Sequence, residues 1–285
     1  MLIYEVLNNA QKKLLPILKD KRFARNAAET LLLHALNITR EKLYIILRDE
    51  FPAKQRKKFE ALVGRRIKGE PLQYLLGYWW FYGRKFRTKK GVLIPRQDTE
   101  AVIEVVKYLQ PALASNTEAV DAGCGTGIIG ITLKLEIPEI GSMTCVDTNK
   151  KAVELTKLNA RKNNARIRVL KADFFALAGS QRHRFGLVVS NPPYIAKNVF
   201  WGLQREVKRE PKSALLAGKS GLEYYIKFEQ YAPFYLKHGA FLALEIGDGM
   251  GAAVRKVFKR RQWRYVRGFR DFRGKLRAIV FKFLG

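Results

Sequence analysis

The sequence predicts an α/β protein: a mostly parallel sheet of seven strands with flanking helices, preceded by a small helical domain. Three observations predict it. From residue 95 onward, short apolar runs alternate with amphipathic stretches, the pattern of strands joined by right-handed helical crossovers. Glycine, acidic and amide residues stand directly after those runs, where ligands bind in such sheets. Before residue 71 the apolar residues recur at helical spacing and no strand signal interrupts them.

Residues 1–70 form the expected helical domain. Leu2, Val6 and Leu7, then Leu14, Leu15 and Leu18, mark one face. A second helix runs from Asn26 and stops at Asn37; Thr39 starts a short third. Phe51-Pro52 breaks the pattern, and a very basic helix follows from Lys54 to Ile67, ending near Gly69. His34 lies among leucines with no partner at metal-ligand spacing, so it reads as a core-edge histidine. Residues 71–94 are aromatic and punctuated by Gly77 and Gly83, which suits two short strands joined by a turn. They are taken as a β-hairpin connector, with the aromatics packing between domains.

Residues 95–285 carry the sheet. Pro95 ends an extended run, and Asp98 or Thr99 is placed to cap a helix whose apolar face is Val102, Ile103, Val106 and Leu109. Strands are expected at 118–122, 143–146, 167–171, 184–190, 240–246, 263–267 and 277–283. Helices are expected at 127–136, 149–162, 222–237 and 250–260. The last two strands are joined directly, so one of them runs antiparallel.

Composition narrows the function classes. With 285 residues and 47% apolar content, a real core forms. Two cysteines and three histidines make neither a disulfide framework nor a metal centre. No stretch approaches the roughly 18 apolar residues of a membrane span. The N-terminus lacks the apolar core of a signal peptide, so a cytoplasmic setting is the expectation. The net charge of +29 is concentrated toward the end, where residues 251–285 hold 12 Lys/Arg against the single acid Asp271. Such a field attracts RNA or a ribosomal surface.

The chemistry is predicted at four successive strand ends. Asp121-Ala-Gly-Cys-Gly-Thr-Gly127 is a tight loop where backbone meets ligand without a Cβ clash. Its spacing is G-x-G-x-G, unlike the G-x-G-x-x-G of dinucleotide enzymes, which disfavours a nicotinamide dehydrogenase. Asp147 ends the second strand and suits ribose hydroxyls. Asp173, followed by Phe174, ends the third and suits an adenine amine and ring. The fourth ends in Asn191-Pro192-Pro193-Tyr194. The Asn191 side-chain oxygen and a proline carbonyl supply two acceptors, and Tyr194 a flat face, the set needed to hold a planar NH2 group.

Together these motifs resemble an S-adenosylmethionine-dependent methyltransferase of the Rossmann-like class. With Gly69-Glu-Pro-Leu-Gln-Tyr-Leu-Leu-Gly77, Leu93-Ile-Pro-Arg-Gln-Asp-Thr-Glu100 and Arg209-Glu-Pro-Lys-Ser-Ala-Leu-Leu-Ala-Gly218, the chain resembles the HemK/PrmC family of peptide-chain release factor glutamine N5-methyltransferases. The resemblance implies S-adenosylmethionine held by Gly123, Cys124, Gly125, Thr126, Gly127, Asp147, Asp173, Phe174 and Asn191. It implies a substrate glutamine of a class I release factor gripped by Asn191, Pro192, Pro193 and Tyr194, with Asn191, Pro192 and Tyr194 as the catalytic set. The high charge keeps a second acceptor open, the exocyclic amine of an RNA or DNA base.

Overall fold

The computed structural model describes residues 1–179 and 183–285, and the chain divides into two compact units. The first comprises Met1–Gly77 with Gln204–Arg209, the second Tyr78–Leu203 with Glu210–Gly285.

The first unit is helical: α1 (Ile3–Leu18), α2 (Lys21–Leu36), α3 (Arg40–Ile45), α4 (Ala53–Ile67) and α5 (Leu72–Leu76). Local chemistry sets their ends. Asp20 accepts from the Arg22 and Phe23 amides at 2.7 and 3.0 Å to cap α2, and Asn37 closes that helix in the left-handed conformation. Leu7, Leu14, Leu31, Leu32, Leu43 and Phe59 bury the apolar faces. The buried Arg66 pairs with Glu206, which fastens the 204–209 segment to this unit. The connector expected over 71–94 resolves differently. Pro71 opens α5, a helix in place of a strand, and Gly77 ends it at φ 73°. Only then does the hairpin follow, β1 (Tyr78–Phe81) and β2 (Arg84–Arg87), with Phe81 and Phe86 buried in the core of the second unit.

The second unit is built on a seven-stranded sheet: β3 (Thr117–Ala122), β4 (Ile140–Asp147), β5 (Arg168–Lys171), β6 (Phe185–Ser190), β9 (Leu236–Glu245), β10 (Trp263–Arg270) and β11 (Leu276–Phe283). A two-stranded piece, β7 (Ile195–Ala196) with β8 (Leu216–Gly218), lies outside it. The order across the sheet is β10-β11-β9-β6-β3-β4-β5, and β11 alone runs antiparallel to its neighbours. The helices are α6 (Glu100–Leu109), α7 (Ile128–Glu136), α8 (Lys150–Lys162), α9 (Lys197–Phe200), α10 (Glu223–Tyr231) and α11 (Gly251–Val257).

Alternation along the strands explains the layers. Ala119, Leu187, Val189, Ala243 and Val280 join the helical residues Val102, Val106 and Ile131 in one apolar cluster. Val120, Val188, Leu242, Leu244, Ile279 and Phe281 join Tyr225, Phe228 and Val254 in another. Neighbouring residues on a strand face opposite sides, so both faces of the sheet are covered.

One helix is shorter than its periodicity suggests. The stretch 222–237 divides into α10, a 3-10 turn at Ala232–Phe234 and the start of β9. Pro233 has no amide hydrogen to continue the helix, and the fully buried Leu236 pairs with Phe185 instead. The capping expectation before α6 also changes. A 3-10 turn at Gln97–Thr99 leads into the helix, and Thr99 makes no capping bond. Asp98 instead pairs with Arg273 at 2.9 Å and Arg277 at 3.0 Å.

Candidate active site

The rim of the site is a line of strand ends. Ala122 pairs with Val146 and Ser190 with Leu244, so β3, β4, β6 and β9 stop at one level. The Ser190 hydroxyl donates to the Ala122 carbonyl at 2.6 Å and ties β6 to β3. These two strands flank the point where the strand order reverses, the place where open α/β sheets bind ligands.

The loop after β3 places all three of its glycines at positive φ: Gly123 at 76°, Gly125 at 57° and Gly127 at 82°. They serve different ends. A Cβ at Gly123 or Gly125 would meet nothing within 4 Å, so their backbone is open to a ligand. A Cβ at Gly127 would lie 2.8 Å from Thr156 Cγ2 and 2.9 Å from Ile131 Cδ1, so this glycine lets α7 pack closely. Asp147 holds the loop from the next strand. Its Oδ2 accepts from the Gly125 amide at 2.9 Å and its Oδ1 from the Asn149 amide at 2.8 Å.

Gly123, Cys124, Gly125, Thr126, Asp147, Asp173, Phe174, Asn191, Pro192 and Pro193 line one cleft of about 230 Å³. Val92, Ile94, Pro95, Arg96 and Thr99 line it too, as do Phe175 and Tyr224. Asp173 is exposed and accepts from the Phe175 amide at 2.9 Å. Phe174 is 4% exposed and packs against Tyr235 and Phe228, whereas Phe175 is only partly buried. Arg96 and the Ile94 amide both engage the buried Glu210, the latter at 2.9 Å, so Glu210 anchors the 92–96 segment.

At the end of β6, Asn191 Nδ2 donates to Thr99 Oγ1 at 3.3 Å. Glu245, at the end of β9, is 1% exposed, and its Oε2 has no hydrogen-bond partner among the described residues. Tyr194 and Gly127 are not among the residues lining the cleft. The Tyr194 ring packs against the apolar cluster on its own side of the sheet, and its hydroxyl donates to Glu245 Oε1 at 3.3 Å. Burial first, then the neighbouring Glu245, push that hydroxyl well above its ordinary value, so it stays protonated and donates.

Comparison with known proteins rests on both units. Residues 5–77 match the PrmC N-terminal domain and residues 86–215 the methyltransferase small domain. A release factor glutamine methyltransferase of Bacillus cereus is 34% identical, with 91% of each chain covered. One from Aquifex aeolicus is 35% identical over 90% of each, and one from Geobacter sulfurreducens 37% identical over 83% of this chain and 82% of its own. The chain belongs to the release factor glutamine methyltransferase family. Solved structures share the fold of this family member at low identity. A methyltransferase from Pyrococcus furiosus has a TM-score of 0.51 at 16% identity, covering 70% of this chain and 89% of its own. The hMettl16 catalytic domain in complex with a 3'UTR hairpin reaches 0.55 at 16% identity, covering 70% and 76%.

Below the glycine loop of this methyltransferase lies a fully buried carboxyl. Asp121 Oδ2 accepts from the Gly130 amide at 2.9 Å, and Oδ1 has no hydrogen-bond partner among the described residues. Burial, opposed by the Gly130 bond, pushes its carboxyl up to about 7 from 3.8. The sign follows. Between those values the folded chain keeps a proton that the unfolded chain has released, so stability from this group falls as pH rises through that window. Relative to Asp121→Asn, wild type is expected to lose unfolding free energy between pH about 4 and about 7. Parallel urea titrations of the two proteins across that range check it; parallel stability curves would contradict it.

Thr99, which lines the cleft and meets Asn191, is the site residue that motif reading underrated. By its position it reads as a helix cap.

Proposed function

We propose that this family member transfers a methyl group from S-adenosylmethionine to the side-chain amide nitrogen, N5, of the glutamine in the Gly-Gly-Gln motif of class I release factors. The presentation of Asn191 carries the proposal. Its NH2 is engaged by Thr99 at 3.3 Å, which leaves Oδ1 as an acceptor beside the carbonyl of Pro192 at the cleft. Two acceptors at a strand end match the two N–H donors of a carboxamide.

The residues present fit the cofactor. Gly123 and Gly125 offer backbone without side chains, Asp147 has lone pairs left for ribose hydroxyls, and Asp173 stands ready for an adenine amine. Phe174 and Phe175 add apolar wall. When bound, S-adenosylmethionine supplies an electrophilic methyl on a sulfonium. The chain's own part is positioning. Amide nitrogen is a poor nucleophile because its lone pair is delocalised into the carbonyl. Asn191 Oδ1 and the Pro192 carbonyl, each accepting one N–H, hold that nitrogen in a single orientation and favour the positive charge that develops on it. No strong general base is needed, because the proton leaves readily once nitrogen is alkylated.

The test is mass spectrometry of the Gly-Gly-Gln peptide after a purified release factor is incubated with enzyme and S-adenosylmethionine. A methyl on the glutamine supports the reading. An unmodified peptide beside methylated RNA would transfer it to a base amine.

A second partner class, RNA or the ribosome surface, is supported by the sheet edge. On β10, Tyr265 lies under Arg255 at 4.3 Å, and Arg267 lies over Tyr108 at 4.6 Å, giving cations already stacked on rings. Replacing Arg264, Arg267 and Arg270 by glutamate is expected to flatten the salt dependence of RNA binding and leave methylation of free release factor unchanged. An unaltered salt slope would remove this partner. We place the protein in the cytoplasm, where release factors act and where the buried free thiols of Cys124 and Cys145 stay reduced. Among the described residues no helix is long and apolar enough to cross a membrane.

A further inference from the structure

A protein substrate has to be held by more than its reacting side chain. A glutamine on a folded partner reaches the end of β6 only if the partner's body stands over the mouth of the cleft. Specific protein pairs cover about 800 Å² on each side. The grip of Asn191 and Pro192 supplies a small part of such an area. The ground beside it is a lip formed by α9 and the 3-10 turn Lys212–Ala214.

The lip is tied to the site at both ends. β7 follows directly on Tyr194 and leads into α9, and the Ile195 amide donates to the Leu215 carbonyl at 2.9 Å. Pro211, Ser213 and Ala214 line the cleft itself. Lys212, between them, sets its Nζ 5.5 Å from the centre of the Phe200 ring and 5.6 Å from that of Trp201. Phe200 is 4% exposed and meets Trp201 edge to face, with ring centres 5.5 Å apart at 78°. Trp201 is nevertheless 72% exposed, and Val199 on the same helix 54%. An indole supported by a buried ring and flanked by a cation loses little freedom on binding, which suits it as an anchor. Exposed charge on the lip has one sign. Across 195–203 and 210–221 the charged residues are Lys197, Lys212 and Lys219, all exposed, and the buried Glu210.

We propose that the lip around Trp201 and Lys212 is the docking surface for the release factor outside its glutamine loop, and that the release factor meets it with an apolar patch bordered by acids. The inference rests on the glutamine-methylating reading above and adds to it the ground that holds the substrate protein. Continuity with the cleft selects this occupant. A body that carries a glutamine to Asn191 also covers the residues that follow Tyr194. The single sign of charge selects the border, since carboxylates are the complement of exposed lysines. Burial of the indole supplies affinity, and the lysines supply steering and register.

The experiment is steady-state methylation of full-length release factor by Trp201→Ala, Trp201→Phe, Lys212→Ala and Lys212→Glu, with S-adenosylmethionine affinity measured by calorimetry on each. Trp201→Ala is expected to raise KM for the release factor ~30-fold, the scale of truncating an interface anchor, with kcat and cofactor affinity unchanged. Trp201→Phe keeps an apolar ring and should lose less than about fivefold. Lys212→Glu should raise KM more than Lys212→Ala, and high salt should narrow the gap. A wild-type KM in Trp201→Ala overturns the inference. So does a loss confined to kcat or cofactor affinity, which would make the lip a support for the cleft. A wild-type KM beside self-association or RNA binding that disappears in Trp201→Ala, read by sedimentation velocity and filter binding, would give the surface to a second copy or to a nucleic-acid strand. A wild type that methylates no release factor sinks the underlying reading and this surface with it; methylation whose KM ignores Trp201 sinks the surface alone.

Discussion

Asn191→Ala is expected to lower kcat for release factor methylation by roughly 10²- to 10³-fold, the usual effect of deleting one preorganised polar group at a reacting centre. The reasons are local. Asn191 follows β6 at the level of the other strand ends, and Ser190 just before it is bonded to the Ala122 carbonyl at 2.6 Å, so its backbone is held whatever the side chain. Alanine removes the acceptor for one substrate N–H without moving the strand. The Pro192 carbonyl then holds the amide by a single bond, and the nitrogen rotates away from the line of transfer. S-adenosylmethionine affinity is expected to stay within about threefold, because the glycine loop and Asp147 do not depend on Asn191. Radiolabel transfer and calorimetry on the same preparation check both halves. Near-wild-type turnover would remove Asn191 from its role.

Asp147→Ala is expected to give the opposite pattern, weakening S-adenosylmethionine by about 100-fold, or about 2.7 kcal/mol, with kcat at saturating cofactor little changed. Two losses add. The acceptor for ribose hydroxyls disappears, and the Gly125 and Asn149 amides lose their partners at 2.9 and 2.8 Å. The second loss matters because Gly125 sits in the loop proposed to meet the cofactor backbone-first. Asp147→Asn keeps one acceptor oxygen and is expected to fall between alanine and wild type. Calorimetric titration decides it; equal affinities in all three proteins would show that Asp147 serves only the loop.

These two variants probe opposite ends of one rim, and the rim was legible before any coordinates. Gly123, Gly125, Asp147, Asp173 and Asn191 were predicted at four strand ends, and they line one cleft. Their legibility is local. A buried strand is an apolar run of a few residues, glycine and proline punctuate it, and the side chain that follows is at the sheet's carboxyl edge by construction. Errors arose where one local signal served two structures. Leu72–Leu76 reads as a strand by its aromatic surroundings, yet Pro71 and Gly77 frame it as one short helix. The stretch 222–237 reads as one helix, yet pairing of Leu236 with Phe185 draws its end into the sheet. Phe174, expected beside the adenine, lines the cleft but packs much of its ring against Tyr235, and Phe175 is the more open ring.

By itself the sequence determined the sheet, the glycine loop and the residue types at each strand end, because those follow from runs and punctuation within a few residues. Only the tertiary structure decided which distant residues meet behind those strand ends. Thr99 meets Asn191 across 92 positions and Tyr194 meets Glu245 across 51. No periodicity encodes such a pair. Such contacts exist because parallel strands bring distant ends to one edge, where the buried Glu245 carboxylate meets the Tyr194 hydroxyl.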